Sequence, residues 1–204
     1  MRSAIYDAII APMTRSWYAA VLTRLPRGAH VLDVGVGTGR ALVANRASLL
    51  ESDIRVTGID IDPTYVDTAR RAVATMALQD RVDVHLESVY DHRGGPYDAV
   101  YFSASFMLLP DPAAALAHVL TLLRPDGVLY FTQTFENRRS ASMERLKPLL
   151  RLVTSIDFGQ VTYEEPFLRT LGHGGLVVVE NAVLQSKSRR SYRLITAIVA
   201  DTGG

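Results

Sequence analysis

The sequence contains no cysteine. The chain therefore has no disulfide, thiolate metal ligand or cysteine nucleophile, and the composition is typical of a reducing compartment. Lysine is scarce: Lys147 and Lys187 are the two lysines among 22 basic residues, so arginine carries the positive charge. No run approaches the ~20 apolar residues of a membrane span, and polar residues interrupt the apolar N-terminal stretch where a signal peptide needs a continuous core. We expect a cytoplasmic protein and predict no bound metal ion.

The overall balance of residues is that of one ordinary globular domain. The chain has 204 residues, of which 48% are hydrophobic and 21% charged, and this is enough to bury a substantial core. The formal net charge is +1, so no global positive field attracts nucleic acid. We therefore do not expect nucleic acid as a partner.

Short β-rich segments alternate with longer helical ones through the first two thirds of the chain. Asp62-Pro63 and Asp111-Pro112 each supply an N-cap residue followed by a proline suited to the first helical position. The turn sequence at 125–127 ends the helix that follows Asp111. The pattern predicts strands over 30–35, 55–60, 81–87, 97–103 and 128–135, and helices over 39–51, 62–78 and 111–123.

The last third of the chain has a different character. Residues 136–160 are longer and more basic than a usual connection, and we interpret them as an inserted helix around 141–153 with a loop. A helix is predicted over 162–172, followed by a hairpin of strands over 175–185 and 191–200. The predicted fold is α/β: a doubly wound, mostly parallel seven-stranded sheet with a C-terminal antiparallel hairpin and helices on both faces.

Three glycines, Gly35, Gly37 and Gly39, lie where the first predicted strand turns into a helix. Glycine permits positive φ and removes the Cβ that would keep a ligand from the backbone, and the free N–H groups of a helix start attract anions. Two cofactor classes use such a loop, so the loop alone does not choose between them. Arg40 stands where a nicotinamide-dinucleotide site has its third small residue, which is evidence against that class. A buried Asp33 just before the loop needs a charged or N–H partner.

Four segments together resemble the class I S-adenosylmethionine-dependent methyltransferases. The run Asp33-x-Gly35-x-Gly37-x-Gly39 is similar to the first motif of that family, and "GIDIDP" at 58–63 is similar to the second. "PYDAVYFS" and "LLRPDGVLYF" resemble the family's fourth- and fifth-strand segments. The resemblance is tight over 28–135 and loose over the terminal hairpin. It implies S-adenosylmethionine as cofactor and S-adenosylhomocysteine as product.

The resemblance also implies roles for individual residues. The glycine loop would line the methionine part of the cofactor, and Asp33 would orient its amino group through the loop or a water. Asp60 would accept both ribose hydroxyls, and Ile61 would pack on one face of the adenine. The cofactor-binding residues predicted in this way are Asp33, Gly35, Gly37, Thr38, Gly39, Asp60, Ile61, Ser88, Val89 and Ser103.

The third motif departs from the family pattern. Ser88 stands where many members have the aspartate that accepts a hydrogen bond from the adenine amino group. Ser88 can still accept such a bond, the Val89 N–H can serve adenine N1, and Glu87 is an acidic alternative one position earlier. Ser103 follows the fourth strand, where residues of this fold line the cofactor or the substrate.

We divide the single domain, residues 1–204, into four parts: an N-terminal helical lid (1–27), a cofactor-binding core (28–135), an inserted substrate or lid segment (136–160), and a terminal helix and hairpin (161–204). Tyr6, Trp17 and Tyr18 belong to a predicted N-terminal helix. That helix either packs on the domain, closes over the cofactor or contacts a membrane surface. The basic residues of 138–151 form either a solvated helix face or a site for phosphate or lipid head groups.

The predicted function is transfer of a methyl group by in-line displacement to a small-molecule acceptor, at nitrogen, oxygen or sulfur. A general base is needed only where the acceptor is protonated, and Tyr6 and His173 are the candidates. One alternative is methylation of a lipid or quinone head group at a membrane surface contacted through 1–20 and 138–151. The other alternative is a catalytically silent S-adenosylmethionine-binding partner subunit.

Overall fold

Seven strands form one mixed sheet in the computed structural model, which describes residues 13–136 and 162–200. The spatial order is β3-β2-β1-β4-β5-β7-β6. The first five strands are parallel, whereas β7 is antiparallel to both β5 and β6. The strands are β1 (His30–Val34), β2 (Arg55–Asp60), β3 (Val82–Leu86), β4 (Tyr97–Ser103), β5 (Leu123–Glu136), β6 (Leu176–Lys187) and β7 (Arg190–Val199).

Helices cover both faces of this sheet. One apolar core joins it to α1, α2, α3 and α4, and a second core joins the opposite face to α5 and α6. The helices are α1 (residues 13–22 of the described chain), α2 (Arg40–Val43), α3 (Arg46–Glu51), α4 (Pro63–Thr75), α5 (Pro112–Leu122) and α6 (Glu164–His173), with a 3-10 turn at Phe106–Leu108. The predicted fold class is confirmed. Among the described residues, no helix has the length and apolar character needed to cross a membrane.

The two predicted helix starts are present. The Asp62 carboxylate accepts a hydrogen bond from the Thr64 N–H at 2.8 Å, and the Asp111 carboxylate accepts one from the Ala114 N–H at 2.9 Å. In each case the next residue is a proline in the first turn of the helix. Both caps therefore satisfy backbone donors that a helix leaves unpaired at its start.

The helix predicted over 39–51 is in fact two short helices, α2 and α3. The break falls at Asn45, whose side-chain amide donates to the Ala41 carbonyl at 2.8 Å and to the Arg15 carbonyl at 3.1 Å. The Asn45 side chain therefore connects α1 to α2 through these two hydrogen bonds. Helical periodicity in the sequence carries no signal for this contact between distant segments.

The turn predicted at 125–127 lies inside β5. Leu123 pairs with Tyr97 of β4, and Val128 pairs with Ala99, so the register shifts between these two pairs. More residues separate the two pairs on β5 than on β4, so the extra residues of β5 form a bulge-like irregularity. Strand β5 consequently begins five residues earlier than the sequence predicts.

The carboxyl ends of the parallel strands share one edge of the sheet. After β3 the chain returns to the other side of β1 to form β4, so the direction of winding reverses between β1 and β4. In open α/β sheets, ligands bind outside the carboxyl ends of the strands at such a reversal. The loops that follow β1, β2, β3 and β4 are therefore the place to look for a site.

Candidate functional site

The glycine loop joins β1 to α2 and is held by the neighbouring strand. The N–H groups of Gly35 and Val36 both donate to the Ile59 carbonyl of β2, at 2.9 and 3.1 Å. Within the loop, the Gly39 N–H donates to the Val36 carbonyl at 3.2 Å, and the half-buried Thr38 lies between the last two glycines. Backbone hydrogen bonds therefore hold the start of the loop against β2.

The three glycines differ in their surroundings. A Cβ on Gly35 would lie 2.7 Å from the Ser105 Cβ, and one on Gly39 would lie 3.0 Å from the Ala69 Cβ of α4. These two glycines permit close packing of neighbouring segments. Gly37 has φ +58° and no atom within 4 Å of where its Cβ would stand, so it borders open space. The open side of the loop is therefore at Gly37.

Asp60 ends β2 and bridges two loops. One carboxylate oxygen accepts from the Gly37 N–H at 2.9 Å, and the other accepts from the Asp62 N–H at 3.0 Å. A carboxylate has about four acceptor sites, so each oxygen keeps capacity for one further donor. The half-buried carboxylate can therefore bind a pair of hydroxyl groups while it holds the glycine loop.

Asp33 is enclosed within the protein, with 1% of its surface exposed. It lies in register between Gly58 of β2 and Tyr101 of β4. The Tyr18 hydroxyl of α1 donates a hydrogen bond to its Oδ2, whereas Oδ1 has no partner among the described residues. The pKa of Asp33 is raised to about 7: burial is the largest cause, the Tyr18 hydrogen bond acts in the opposite direction, and the charge of Asp60 adds to the rise. A buried carboxylate oxygen without a donor is suited to a cationic ligand group.

Exposed apolar side chains flank Asp60. Ile61 is 75% exposed and follows it directly, while Leu86, which is 53% exposed, is its register partner at the end of β3. Two large apolar side chains presented to solvent beside a carboxylate offer a surface for a flat ring.

The segment after β3 forms a turn closed by Ser88. The Ser88 hydroxyl accepts from the Tyr90 N–H at 3.3 Å, and its carbonyl accepts from the N–H groups of Asp91 and His92. The Val89 side chain is buried. Ser88 therefore has a role in shaping the turn, besides the role in adenine binding that the sequence suggests.

Glu87, the acidic alternative to Ser88, is engaged elsewhere. Its carboxylate pairs with the His92 Nδ1 at 2.7 Å, and the His92 Nε2 is 2.7 Å from the Tyr97 hydroxyl. The Glu87 carboxylate therefore anchors the loop that leads into β4, and its role as an alternative adenine acceptor stays a prediction.

The loop after β4 lies against the glycine loop. Ser103 ends β4 opposite Thr132, whose hydroxyl lies 2.8 Å from the Tyr101 hydroxyl. Ala104 follows with φ 56°, a left-handed conformation that is unusual for alanine. Ser105 then donates a hydrogen bond to the Val34 carbonyl. These contacts bring Ser103 to the same edge of the sheet as Gly35.

The sequence places His173 just beyond the helix predicted over 162–172, whereas in the structure it is the last residue of α6. Three residues later, Leu176 begins β6 opposite Val199 of β7, and Ile198 of β7 pairs with Val128 near the start of β5. His173 therefore lies toward the amino edge of the parallel strands, opposite the glycine loop. This position is incompatible with a general base at the carboxyl edge.

Several sequence predictions fall outside the described residues. They concern Tyr6, almost all of the inserted segment at 136–160, and the basic residues of 138–151. The described part of the N-terminal helix packs on the domain: the rings of Trp17 and Tyr192 lie 6.1 Å apart, and those of Tyr18 and Tyr101 meet edge-on at 5.0 Å.

The sequence does not predict that Tyr18 contacts Asp33 or that Ser105 contacts Val34. Helical spacing alone groups Tyr18 with Tyr6 and Trp17. A usable signal was present, because a buried aspartate needs a donor and a tyrosine in an apolar helix face can supply one. Which donor reaches Asp33 depends on how α1 crosses the sheet.

Comparison with known proteins agrees with this geometry. A family profile described as a methyltransferase domain matches residues 31–127. The ubiquinone biosynthesis O-methyltransferase of Xanthomonas campestris pv. campestris (strain B100) is 36% identical over 118 residues, which are 56% of this chain and 46% of that protein. The chain thus spans about half the length of this relative.

Solved structures share the fold at low sequence identity. The cyclase SpnF superposes with a TM-score of 0.73 at 20% identity, covering 93% of this chain and 81% of that one. A methyltransferase from Thiobacillus denitrificans, solved in complex with S-adenosylhomocysteine, superposes with a TM-score of 0.69 at 16% identity, covering 92% and 91%. A cyclase among these structures illustrates that the fold alone does not determine the reaction.

Proposed function

We propose that this chain is a class I S-adenosylmethionine-dependent methyltransferase, which transfers a methyl group from S-adenosylmethionine to a small-molecule acceptor; the methyltransferase-domain match over residues 31–127 and the shared fold support this proposal. The product of the cofactor would be S-adenosylhomocysteine. The observation that carries the proposal is the position of the Asp60 carboxylate, which accepts a hydrogen bond from Gly37, the one of the three loop glycines that borders open space.

The chemistry of the site residues matches the parts of this cofactor. Asp60 has acceptor capacity for two ribose hydroxyls, and the exposed side chains of Ile61 and Leu86 suit the adenine ring. Asp33, whose Oδ1 is buried and has no partner among the described residues, would orient the cationic amino group of the methionine part through the loop or a water. The remaining proposed contacts are with Gly35, Thr38, Gly39, Ser88, Val89 and Ser103.

When bound, S-adenosylmethionine supplies a methyl group that its sulfonium has already activated. The work of the chain is then to hold the acceptor atom in line with that group and to keep the geometry rigid. The hydrogen bond from Ser105 to the Val34 carbonyl and the close approach of Ser105 to Gly35 fix the loop after β4 on the glycine loop. Both loops thus act as one support. Tyr6 stays a proposed general base, and His173 is withdrawn.

The described edge of the site favours an acceptor with apolar character. Leu108, in the 3-10 turn after β4, is 61% exposed, and Met107 beside it is partly buried against the core. The Xanthomonas campestris relative is named for O-methylation in ubiquinone biosynthesis. We therefore place oxygen, on a partly apolar aromatic acceptor, ahead of nitrogen and sulfur. A cytoplasmic location is part of the same proposal.

The test of this proposal combines binding with turnover. Calorimetry should detect binding of S-adenosylmethionine, and a panel of phenols, amines and thiols should reveal an acceptor through release of S-adenosylhomocysteine. Absence of cofactor binding by the folded protein would contradict the proposal. Binding without turnover on every acceptor would support the silent partner subunit instead.

The membrane-surface alternative predicts binding to anionic vesicles. Because residues 13–22 pack on the sheet, the informative deletion removes only residues 1–12. Co-sedimentation with phosphatidylglycerol vesicles that this deletion abolishes would support a lipid or quinone head group as acceptor. Full-length protein that stays in the supernatant would contradict that alternative.

Alanine at two of the glycines should have different main effects, one on cofactor affinity and the other on stability. Gly37→Ala adds a Cβ on the open side of the loop and should reduce cofactor affinity at least tenfold, with a stability cost of roughly 1 kcal/mol for the positive φ. Gly39→Ala instead drives a Cβ against Ala69 and should lower the free energy of unfolding by about 1–3 kcal/mol. Calorimetry and urea unfolding of both variants measure the difference. Equal affinity in Gly37→Ala and wild type would contradict our assignment of the open side.

A further inference from the structure

The Tyr18 hydroxyl connects α1 directly to the glycine-loop strand. It donates to the Asp33 Oδ2, and the two side chains are only 4% and 1% exposed. The Tyr18 ring meets the Tyr101 ring edge-on at 5.0 Å, and Tyr101 is the register neighbour of Asp33 on β4. The hydroxyl therefore cannot leave Asp33 without opening the core.

Other contacts of α1 and of the residues just after it do not involve the Asp33 carboxylate. The Arg15 carbonyl accepts from Asn45, and just beyond the helix Arg24 pairs with Glu180 at 2.7 Å. The Arg24 carbonyl also accepts from the Tyr130 hydroxyl at 3.4 Å. Tyr18, in contrast, joins α1 to a charged group of the proposed cofactor site.

We propose that Tyr18 is a positioning residue for cofactor binding, whose hydroxyl favours the ionised form of Asp33, fixes the position of its carboxylate and thereby couples the docking of α1 to occupancy of the site. This inference rests on the proposed function. Helix α1 is then part of the cofactor site and not merely a cover over it.

The electrostatics around Asp33 explain the need for this donor. Burial first, and then the charge of Asp60, raise the pKa of the Asp33 carboxyl, while the Tyr18 hydrogen bond lowers it. The Tyr101 hydroxyl from β4 is a further neighbour, and it is neutral because burial raises its pKa. Burial and Asp33 also raise the pKa of Tyr18, so that this hydroxyl stays protonated and donates. Loss of the hydroxyl should therefore raise the pKa of Asp33 and deprive a cationic ligand of its partner.

The experiment is a pH series of S-adenosylhomocysteine binding to wild type and Tyr18→Phe, measured by calorimetry between pH 6 and 8.5. This ligand carries the amino group without the labile sulfonium. In wild type the affinity should rise with pH through about 7, the pKa of Asp33. In Tyr18→Phe the midpoint should move up by roughly one pH unit, so that affinity at pH 7 falls about fivefold and recovers at high pH.

Tyr130→Phe is the matched control. It removes a hydroxyl that contacts the end of the α1 segment from the same core, but it does not touch Asp33. Its pH profile should coincide with that of wild type. A Tyr18→Phe profile that coincides with wild type, or a Tyr130→Phe profile with the same shift as Tyr18→Phe, would overturn the inference.

Two further measurements separate the proposed coupling from a general loss of stability in Tyr18→Phe. In an Asp33→Asn background, the added Tyr18→Phe change should produce no further pH-dependent loss of affinity, because the titrating group is gone. S-adenosylhomocysteine should also slow amide exchange of residues 13–22 in wild type more than in Tyr18→Phe. Additive losses, or equal protection of α1 in both proteins, would count against the coupling. A folded wild type that binds no ligand would contradict the proposed function itself.

Discussion

Asp60→Ala should weaken S-adenosylhomocysteine binding by about 100-fold or more. The change removes the acceptor for the ribose hydroxyls and also the acceptor of the Gly37 N–H at 2.9 Å, which holds the glycine loop. Hydrogen bonds to a charged group contribute about 1.5–3 kcal/mol each, and two of them correspond to roughly two or more orders of magnitude in affinity. Calorimetry on the folded variant measures the loss.

Asp62→Ala is the control for the Asp60 experiment. Asp62 lies two residues further on and caps α4 by accepting from the Thr64 N–H at 2.8 Å. Its loss should cost about 1 kcal/mol of stability with little change in affinity. A 2′,3′-dideoxy form of the ligand separates the two roles of Asp60, because removal of the hydroxyls should weaken binding to wild type but not to Asp60→Ala. Unchanged affinity in Asp60→Ala would disprove the ribose assignment.

Asp33→Asn should make the protein more stable above neutral pH and at the same time impair cofactor binding. The folded-state pKa of Asp33 is about 7, against a usual value of 3.8. Because the folded protein holds this proton more tightly than the unfolded chain, the free energy of unfolding falls as pH rises from about 4 to 7. It is constant above that range. The accumulated penalty is roughly 4 kcal/mol, an order-of-magnitude figure from about 1.4 kcal/mol per pKa unit.

Asparagine avoids the cost of burying a charge but brings a buried amide that lacks a full set of partners, which costs about 1–3 kcal/mol. The expected net gain at pH 8 is therefore about 1–3 kcal/mol, and the gain should vanish by pH 4 to 5. Urea unfolding at both pH values measures it. Cofactor affinity at pH 8 should fall at least tenfold, because the ammonium loses its charged partner.

Asp67→Asn provides the comparison for Asp33→Asn, since Asp67 is exposed on α4. It should show no pH-dependent change in stability. If Asp33→Asn were no more stable than wild type at pH 8, the ionised Asp33 carboxylate would not lower the free energy of unfolding, as its burial indicates that it does. A variant that is more stable but less active is expected where a binding site keeps a buried charge that destabilises the fold but serves function.

Much of the site could be predicted from short-range patterns. The glycine spacing after a buried strand, the acidic residue that ends the second strand and the capped start of α4 are all encoded within a few residues. The alternation of strands and helices then predicts a parallel sheet, whose carboxyl edge gathers these loops. The family resemblance follows from the same local segments.

Other features depend on contacts between distant parts of the chain. Periodicity alone does not show that Glu87 turns to His92, that Asn45 ties α2 to α1, or that Gly39 packs on Ala69 while Gly37 borders open space. Each of these depends on side-chain directions that are fixed only when helices and strands pack together.

The sequence by itself thus determined the order of elements, the fold class, the glycine loop and the acidic residues beside it, because backbone preferences and hydrophobic periodicity act over a few residues. The tertiary structure decided which of these groups meet. Tyr18 reaches Asp33 because α1 crosses the sheet over β1 and β4. His173 lies toward the opposite edge because β6, which follows it, runs parallel to β5 and so begins at the amino edge, with the antiparallel β7 between them. Both outcomes follow from strand neighbours chosen by the packing of the whole domain, which no local segment encodes.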